Sequence, residues 1–459
     1  MPFSRNSERT RGFTLTLPVR FRSGQAAQDE VLQIRTRLLL LFAATVFALM
    51  IGCSGSDPEP TAEPTPESTS LDEVLSSIER GIEEIRGIDT PPPVQYRFVD
   101  EQGMRERLAE EFEDPEIISQ IDHESTLLKL LGVIPQDSDL AETYDELLGS
   151  QVLGLYDPEK EEFFVLGDDS TELDGEAQVT YAHEYVHRLQ DAAFDLESVE
   201  ELANNDDMSI AISALIEGDA TTTQTQYMLA NFDFAELSAI LQQALEAQGE
   251  LPESPYFLQQ SLEFPYTEGA KFVAALVTAG DFSPVDDAFR RLPLSTEQIL
   301  HPEKYLQNEE PLEVDVPDDL AKGWKVDSEN VLGEFFLKTW LEAIGSDNAG
   351  VAAAGWGGDA YAIFESENEE QALVVFTEWD TSEDAREFMF EMSQTFGENP
   401  EIVSESSGLP GILEAWSGPG GYMVISRWEF EESAEQVRIV VAPDGTTAHM
   451  LSQVLVPAE

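Results

Sequence analysis

The chain has 459 residues, 42% of them hydrophobic. That is length for two or three domains and apolar content for packed cores, which excludes wholesale disorder. Its 25 basic and 91 acidic side chains give a formal charge of −66. Such a surface repels phosphate backbones, so no nucleic acid is expected as a partner. Charge this high also disfavours a compact state unless salt screens it. The one cysteine, Cys53, excludes an internal disulfide and a cysteine-rich metal cluster.

In chain order, residues 1–37 carry seven arginines, and an apolar run of 15 residues follows from Leu38 to Gly52. The run is short for a bilayer span of about 20 residues and suits the core of a signal peptide. It ends Met50-Ile51-Gly52-Cys53-Ser54, which resembles a bacterial lipobox. That resemblance implies cleavage after residue 52 and lipidation of Cys53; an uncleaved N-terminal anchor is the other reading. Either way the rest of the chain is expected outside the cytoplasm, lipid-anchored at the cell membrane in the first case. Residues 53–70, rich in Pro, Thr and Glu, are expected to form a disordered tether.

Leu71, Val74, Leu75, Ile78, Ile82 and Ile85 mark one face of a helix that Pro91-Pro92-Pro93 terminates. An extended stretch at 95–99 and helices near 101–113, 115–132 and 139–149 follow. Residues 151–167 read as a hairpin, with Asp157-Pro158-Glu159-Lys160 at its turn. Helices are expected from Gly175 to about 191, from about 204 or 206 to 229, over 235–248 and over 253–278, with breaks at prolines. From 346 onward strand patterns dominate, with a helix at about 380–396. The expected class is α+β: a mainly helical domain with a small sheet over 71–345, its first part 71–150, and a C-terminal α+β domain over 346–459. His449 is expected in a strand, and Gly357-Gly358 in a tight turn. The acidic runs at 168–169 and 204–207 are expected to be solvated.

Ala182-His183-Glu184-Tyr185-Val186-His187 carries the chemistry. On a helix, imidazoles at i and i+4 share a face and can bind one zinc ion. Glu184 stands on the adjoining arc, where it can reach a water without being a ligand. A catalytic zinc needs a third protein ligand, from another element. Glu217 is the best candidate, an acid inside the apolar run Ser209–Ala220. An acid there is costly unless a cation faces it. Asp219 is the rival ligand, or the partner that fixes an imidazole tautomer. For a donor to the oxyanion, Tyr266 and His301 both remain open.

HEYVH followed by a helical Glu217-Gly218-Asp219-Ala220 resembles the gluzincin group of zincin metallopeptidases, over about residues 150–345. The resemblance implies Zn2+ held by His183, His187 and Glu217. It implies hydrolysis of a peptide or protein substrate by zinc-activated water, with Glu184 as general base. It also implies a sheet edge near 151–167 that pairs with extended substrate. In thermolysin-like members an acid follows the ligand Glu by four residues, where this chain has Thr221. The alternative function is a non-catalytic binding lipoprotein on the same fold.

Overall fold

Periodic apolar residues and capping side chains set most of the elements. The computed structural model describes residues 71–92, 95–112, 115–148, 154–157, 160, 162–166, 173–248, 254–278, 280–317, 322–399, 402–405, 412–429 and 435–454. The expected signal, Cys53, the tether and the pair Asp168-Asp169 lie outside the described residues. Among those residues, no helix is long and apolar enough to cross a membrane.

Helix α1 (Leu71–Arg86) buries Leu75, Ile78 and Ile82 on the face the periodicity marks. Strand β1 (Gln95–Val99) precedes α2 (Glu101–Phe112), α3 (Pro115–Leu130) and α4 (Leu140–Leu148). The expected hairpin forms as β2 (Gly154–Asp157) and β3 (Glu162–Leu166), paired antiparallel. Asp157 turns it by accepting the Lys160 N–H at 3.0 Å. β3 also pairs in parallel with β1, giving a three-stranded sheet of order β1-β3-β2.

The body of the helical part is α5 (Gly175–Phe194), α6 (Leu196–Glu200), α7 (Asp206–Asn231), α8 (Phe234–Gln248) and α9 (Tyr256–Leu276). Asp174 caps α5 by accepting from Ala177 N, and Asn205 caps α7 by accepting from Met208 N. The run at 204–207 is therefore not a solvated charge patch. Asp207 is buried, accepting from both the amide and the hydroxyl of Thr296. No break occurs at Pro265, which α9 carries in its interior. An interior proline disfavours an isolated helix by about 3 kcal/mol. Here the packing of α9 on α7 offsets it.

Helices α10 (Ser283–Arg290), α11 (Thr296–Leu300) and α12 (Pro302–Gln307) lead to β4 (Trp324–Asn330), α13 (Gly333–Ala343) and α14 (Ala349–Ala353). Then come β5 (Trp356–Ser366), β6 (Gln371–Trp379), α15 (Ser382–Glu398), β7 (Val403–Glu405), β8 (Ile412–Gly418), β9 (Gly421–Glu429), β10 (Glu435–Ala442) and α16 (Gly445–Val454). The class is α+β. The seven strands pair antiparallel in the order β4-β5-β6-β10-β9-β8-β7. Both faces are apolar. Ile363, Leu373, Val375 and Ile439 join one cluster with Trp340 of α13 and Leu128 of α3. Phe364, Val374 and Val440 face Leu451 of α16 on the other.

Three further expectations change. The sheet starts at Trp324, upstream of the expected boundary at 346, because β4 pairs with β5. Gly357-Gly358 lies at a bulge of β5 rather than in a turn, and an added Cβ at Gly358 would strike the Leu312 carbonyl. His449 is on α16, because Asp444 accepts the amides of Thr446 and Thr447 and starts a helix there.

Candidate metal centre

Helix α5 is buried all round from Val179 to Gln190, so it crosses the interior. His183 and His187 stand one turn apart on it, with Nε2 atoms 3.0 Å from each other. Helix α7 supplies Glu217, whose Oε2 lies 3.0 Å from His183 Nε2 and 3.6 Å from His187 Nε2. Ligand atoms at about 2.0–2.1 Å from a tetrahedral ion stand roughly 3.3 Å apart. The three atoms hold that spacing and come from the residue types zinc takes. All three residues are buried, and Glu217 Oε1 has no hydrogen-bond partner among the described residues. A carboxylate oxygen left so inside a protein is costly unless a cation meets it. The residues therefore fit zinc.

Glycines bring α7 and α9 into near-contact. An added Cβ at Gly218 would overlap the Gly269 backbone, and one at Gly269 would overlap the Ala214 carbonyl. The near-contact of α7 and α9 sets Tyr266 of α9 with its ring centroid 6.1 Å from that of His183.

Glu184 is 3% exposed. One of its oxygens, Oε2, accepts the Tyr156 N–H of β2 at 3.0 Å. The other, Oε1, has no partner among the described residues. Burial pushes Glu184 above the usual carboxylate range, against the pull of His187 and His183. Burial acts on Glu217 in the same sense, but the two imidazoles outweigh it and hold that group below its usual value. Burial alone would lower His187, whereas Glu217 and Glu184 raise it to about 9.

A buried chain of side chains backs His187. Its Nδ1 lies 2.9 Å from Gln190 Oε1. Gln190 Nε2 donates at 2.9 Å to the Ile216 carbonyl and at 2.9 Å to Asp219 Oδ2. Arg86 of α1 pairs with Asp219 at 2.8 Å and with Asp286 of α10 at 2.9 Å. Asp219 thus faces Arg86 and Gln190, and its tie to the imidazole runs through the amide.

Of the expected residues, the structure gathers His183, Glu184, His187, Glu217 and Tyr266. It does not bring His301 to them. His301 Nε2 is 2.9 Å from Glu334 Oε1. Glu334 follows Gly333, which packs against Asp207, ten positions before Glu217 on α7. Ten residues of helix rise about 15 Å. The physical reason is the Glu334 partner, which ties His301 to α13 instead of α5. A second acidic group, Glu297, Glu309 and Asp380, surrounds Lys304 Nζ at 2.6, 2.7 and 2.5 Å. A lysine already neutralises it.

Residues 303–452 match the model of a family described as a domain of unknown function (DUF8575). No curated protein matches the chain, and no solved structure matches it. The family match spans α12 to α16 and includes no residue of the His183–His187–Glu217 group.

Sequence reasoning missed Gln190, Arg86 and the Tyr156 amide. Gln190 had a legible signal, since it lies one turn beyond His187. Arg86 had none, because its partner Asp219 is 133 positions away.

Proposed function

We propose that the chain is a zinc-dependent peptidase of gluzincin type, tethered outside the cytoplasm through Cys53. One observation carries the reading: three ligand atoms at tetrahedral spacing, with an acid adjoining the first histidine and bearing one free oxygen. His183, His187 and Glu217 hold the metal. When bound, zinc polarises the scissile carbonyl and acidifies water. Glu184 Oε1 takes the proton from the attacking water as its oxygen bonds to the carbonyl carbon. Glu184 then returns that proton to the amine nitrogen as the C–N bond breaks. Its raised proton affinity suits both halves of that task. Tyr266, buried beside His183, donates to the developing oxyanion.

A second reading, a metal-holding protein that does not turn over, draws on two facts. The four residues His183, Glu184, His187 and Glu217 are 0–4% exposed, and the Tyr156 amide of β2 occupies one oxygen of the acid.

Metal analysis and a quenched-peptide assay separate the two. The full chain is expected to hold one zinc and to cleave a mixed peptide pool. Glu184→Gln is expected to keep the zinc and to lose at least 100-fold in rate, the low end of general-base contributions. Zinc binding without cleavage by the parent would favour the second reading. Absence of zinc would remove both.

A further inference from the structure

We propose that Gln190 is the positioning residue for His187, and that the Asp219–Arg86 ion pair holds Gln190 in that role. The inference rests on the zinc reading and goes beyond its ligand set. It begins with which end of the amide faces which partner. Two acceptors, the Ile216 carbonyl and Asp219 Oδ2, each lie 2.9 Å from one end of the Gln190 amide. Only the NH2 group can serve both. The carbonyl end must then face the imidazole, 2.9 Å from His187 Nδ1. A carbonyl oxygen only accepts, so Nδ1 must carry a hydrogen. That leaves the neutral ring with its lone pair on Nε2, the atom beside Glu217 and His183.

The same amide sets the spacing between the two metal-binding helices. Gln190 lies on α5, one turn beyond His187. Its partners on α7 flank Glu217, one position before it and two after. One side chain thus registers the second histidine against the third ligand.

Asp219 makes this arrangement durable. It is fully buried, accepts from Gln190, and is paired with an equally buried Arg86 at 2.8 Å. Arg86 comes from α1, ahead of the expected peptidase motifs. Helix α1 is therefore part of the metal site's support, not a detachable cover over it. A lone buried carboxylate would be strongly disfavoured. Without Arg86, Asp219 would lose the cation it faces, and Gln190 would keep the Ile216 carbonyl as its one fixed acceptor.

Support of this kind commonly changes metal affinity by 10–100-fold. The test measures zinc affinity of the full chain by competition with a chromophoric chelator. Nitrogen-15 spectra of the His187 ring are recorded in the zinc-loaded protein alongside it. Gln190→Leu is expected to weaken zinc 10–100-fold and to move the Nδ1–H proton signal upfield as that hydrogen loses its acceptor, with an unchanged circular dichroism spectrum. Gln190→Glu should weaken it as well, since a carboxylate can donate neither to Asp219 nor to the Ile216 carbonyl. Its other oxygen still accepts from Nδ1, so the Nδ1–H signal should stay close to that of the parent. Weaker zinc with a retained Nδ1–H signal separates positioning from packing even if the leucine variant fails to fold.

Parent-like affinity in a folded Gln190→Leu, or in Gln190→Glu, would overturn the proposal while leaving zinc binding intact. A parent that binds no zinc would overturn the metal reading itself, and this inference with it.

Discussion

Asp359 shows how much a single buried side chain is asked to hold. It is 3% exposed and accepts the amides of Leu332 and Gly333 and the indole N–H of Trp356, each at 2.8 Å. Burial raises it to about 6 in spite of those three donors. The folded protein then binds the proton more tightly than the unfolded chain does. Its contribution is complete below the ordinary value near 3.8 and is lost as pH climbs through about 6. Two units correspond to about 3 kcal/mol. Thermal midpoints of the parent and of Asp359→Asn, taken from pH 4 to 7, should diverge in slope below 6 and run parallel above it. Parallel profiles throughout would contradict the assignment. At this scale the sequence was legible where chemistry repeats at helical spacing, as in His183 and His187, or where a charge interrupts an apolar run, as in Glu217. It was illegible where a partner arrives from far along the chain. Nothing near His301 announces Glu334, 33 positions on.

At the scale of elements, the crossing of α7 and α9 brings Tyr266 to the side of His183. Gly218 neighbours the ligand Glu217, and its missing side chain is what lets Gly269 approach. Gly218→Ala places a methyl group in backbone rather than in a side chain that could turn aside. Overpacking of this sort costs about 1–3 kcal/mol, occasionally more. A lowered urea midpoint with weaker zinc retention is expected for Gly218→Ala. An unchanged midpoint would mean the two backbones have room to part. Helix bounds were readable to within a few residues, because Leu75, Ile78 and Ile82 repeat at 3.6; the start expected at about 204 or 206 falls on either side of the capping residue, Asn205. Strand β4 was not, because its sequence, WKVDSEN, alternates too weakly to mark a strand. Its place comes from pairing with β5. The parallel partnership of β1 with β3 was equally hidden, since the two lie 67 positions apart along the chain.

For the whole molecule, 91 acids against 25 bases must share one surface. Repulsion among the exposed acids extends as far as the ionic atmosphere allows. That reach shrinks from about 30 Å at 0.01 M salt to about 3 Å at 1 M. The thermal midpoint of the full chain should therefore climb steadily with sodium chloride across that range. A flat response would show that the charges are compensated locally. The apolar cluster that runs from Met104 through Trp340 to Val441 has a different consequence. The indole of Trp340 donates to the Leu131 carbonyl, and Leu128 and Trp340 join Ile363, Leu373 and Ile439 of the strands in that cluster, so the helices and the large sheet share one interior. The region that matches a family of its own is thus no interchangeable cassette. Grafted elsewhere, it would arrive with an oily underside that only these helices are shaped to cover.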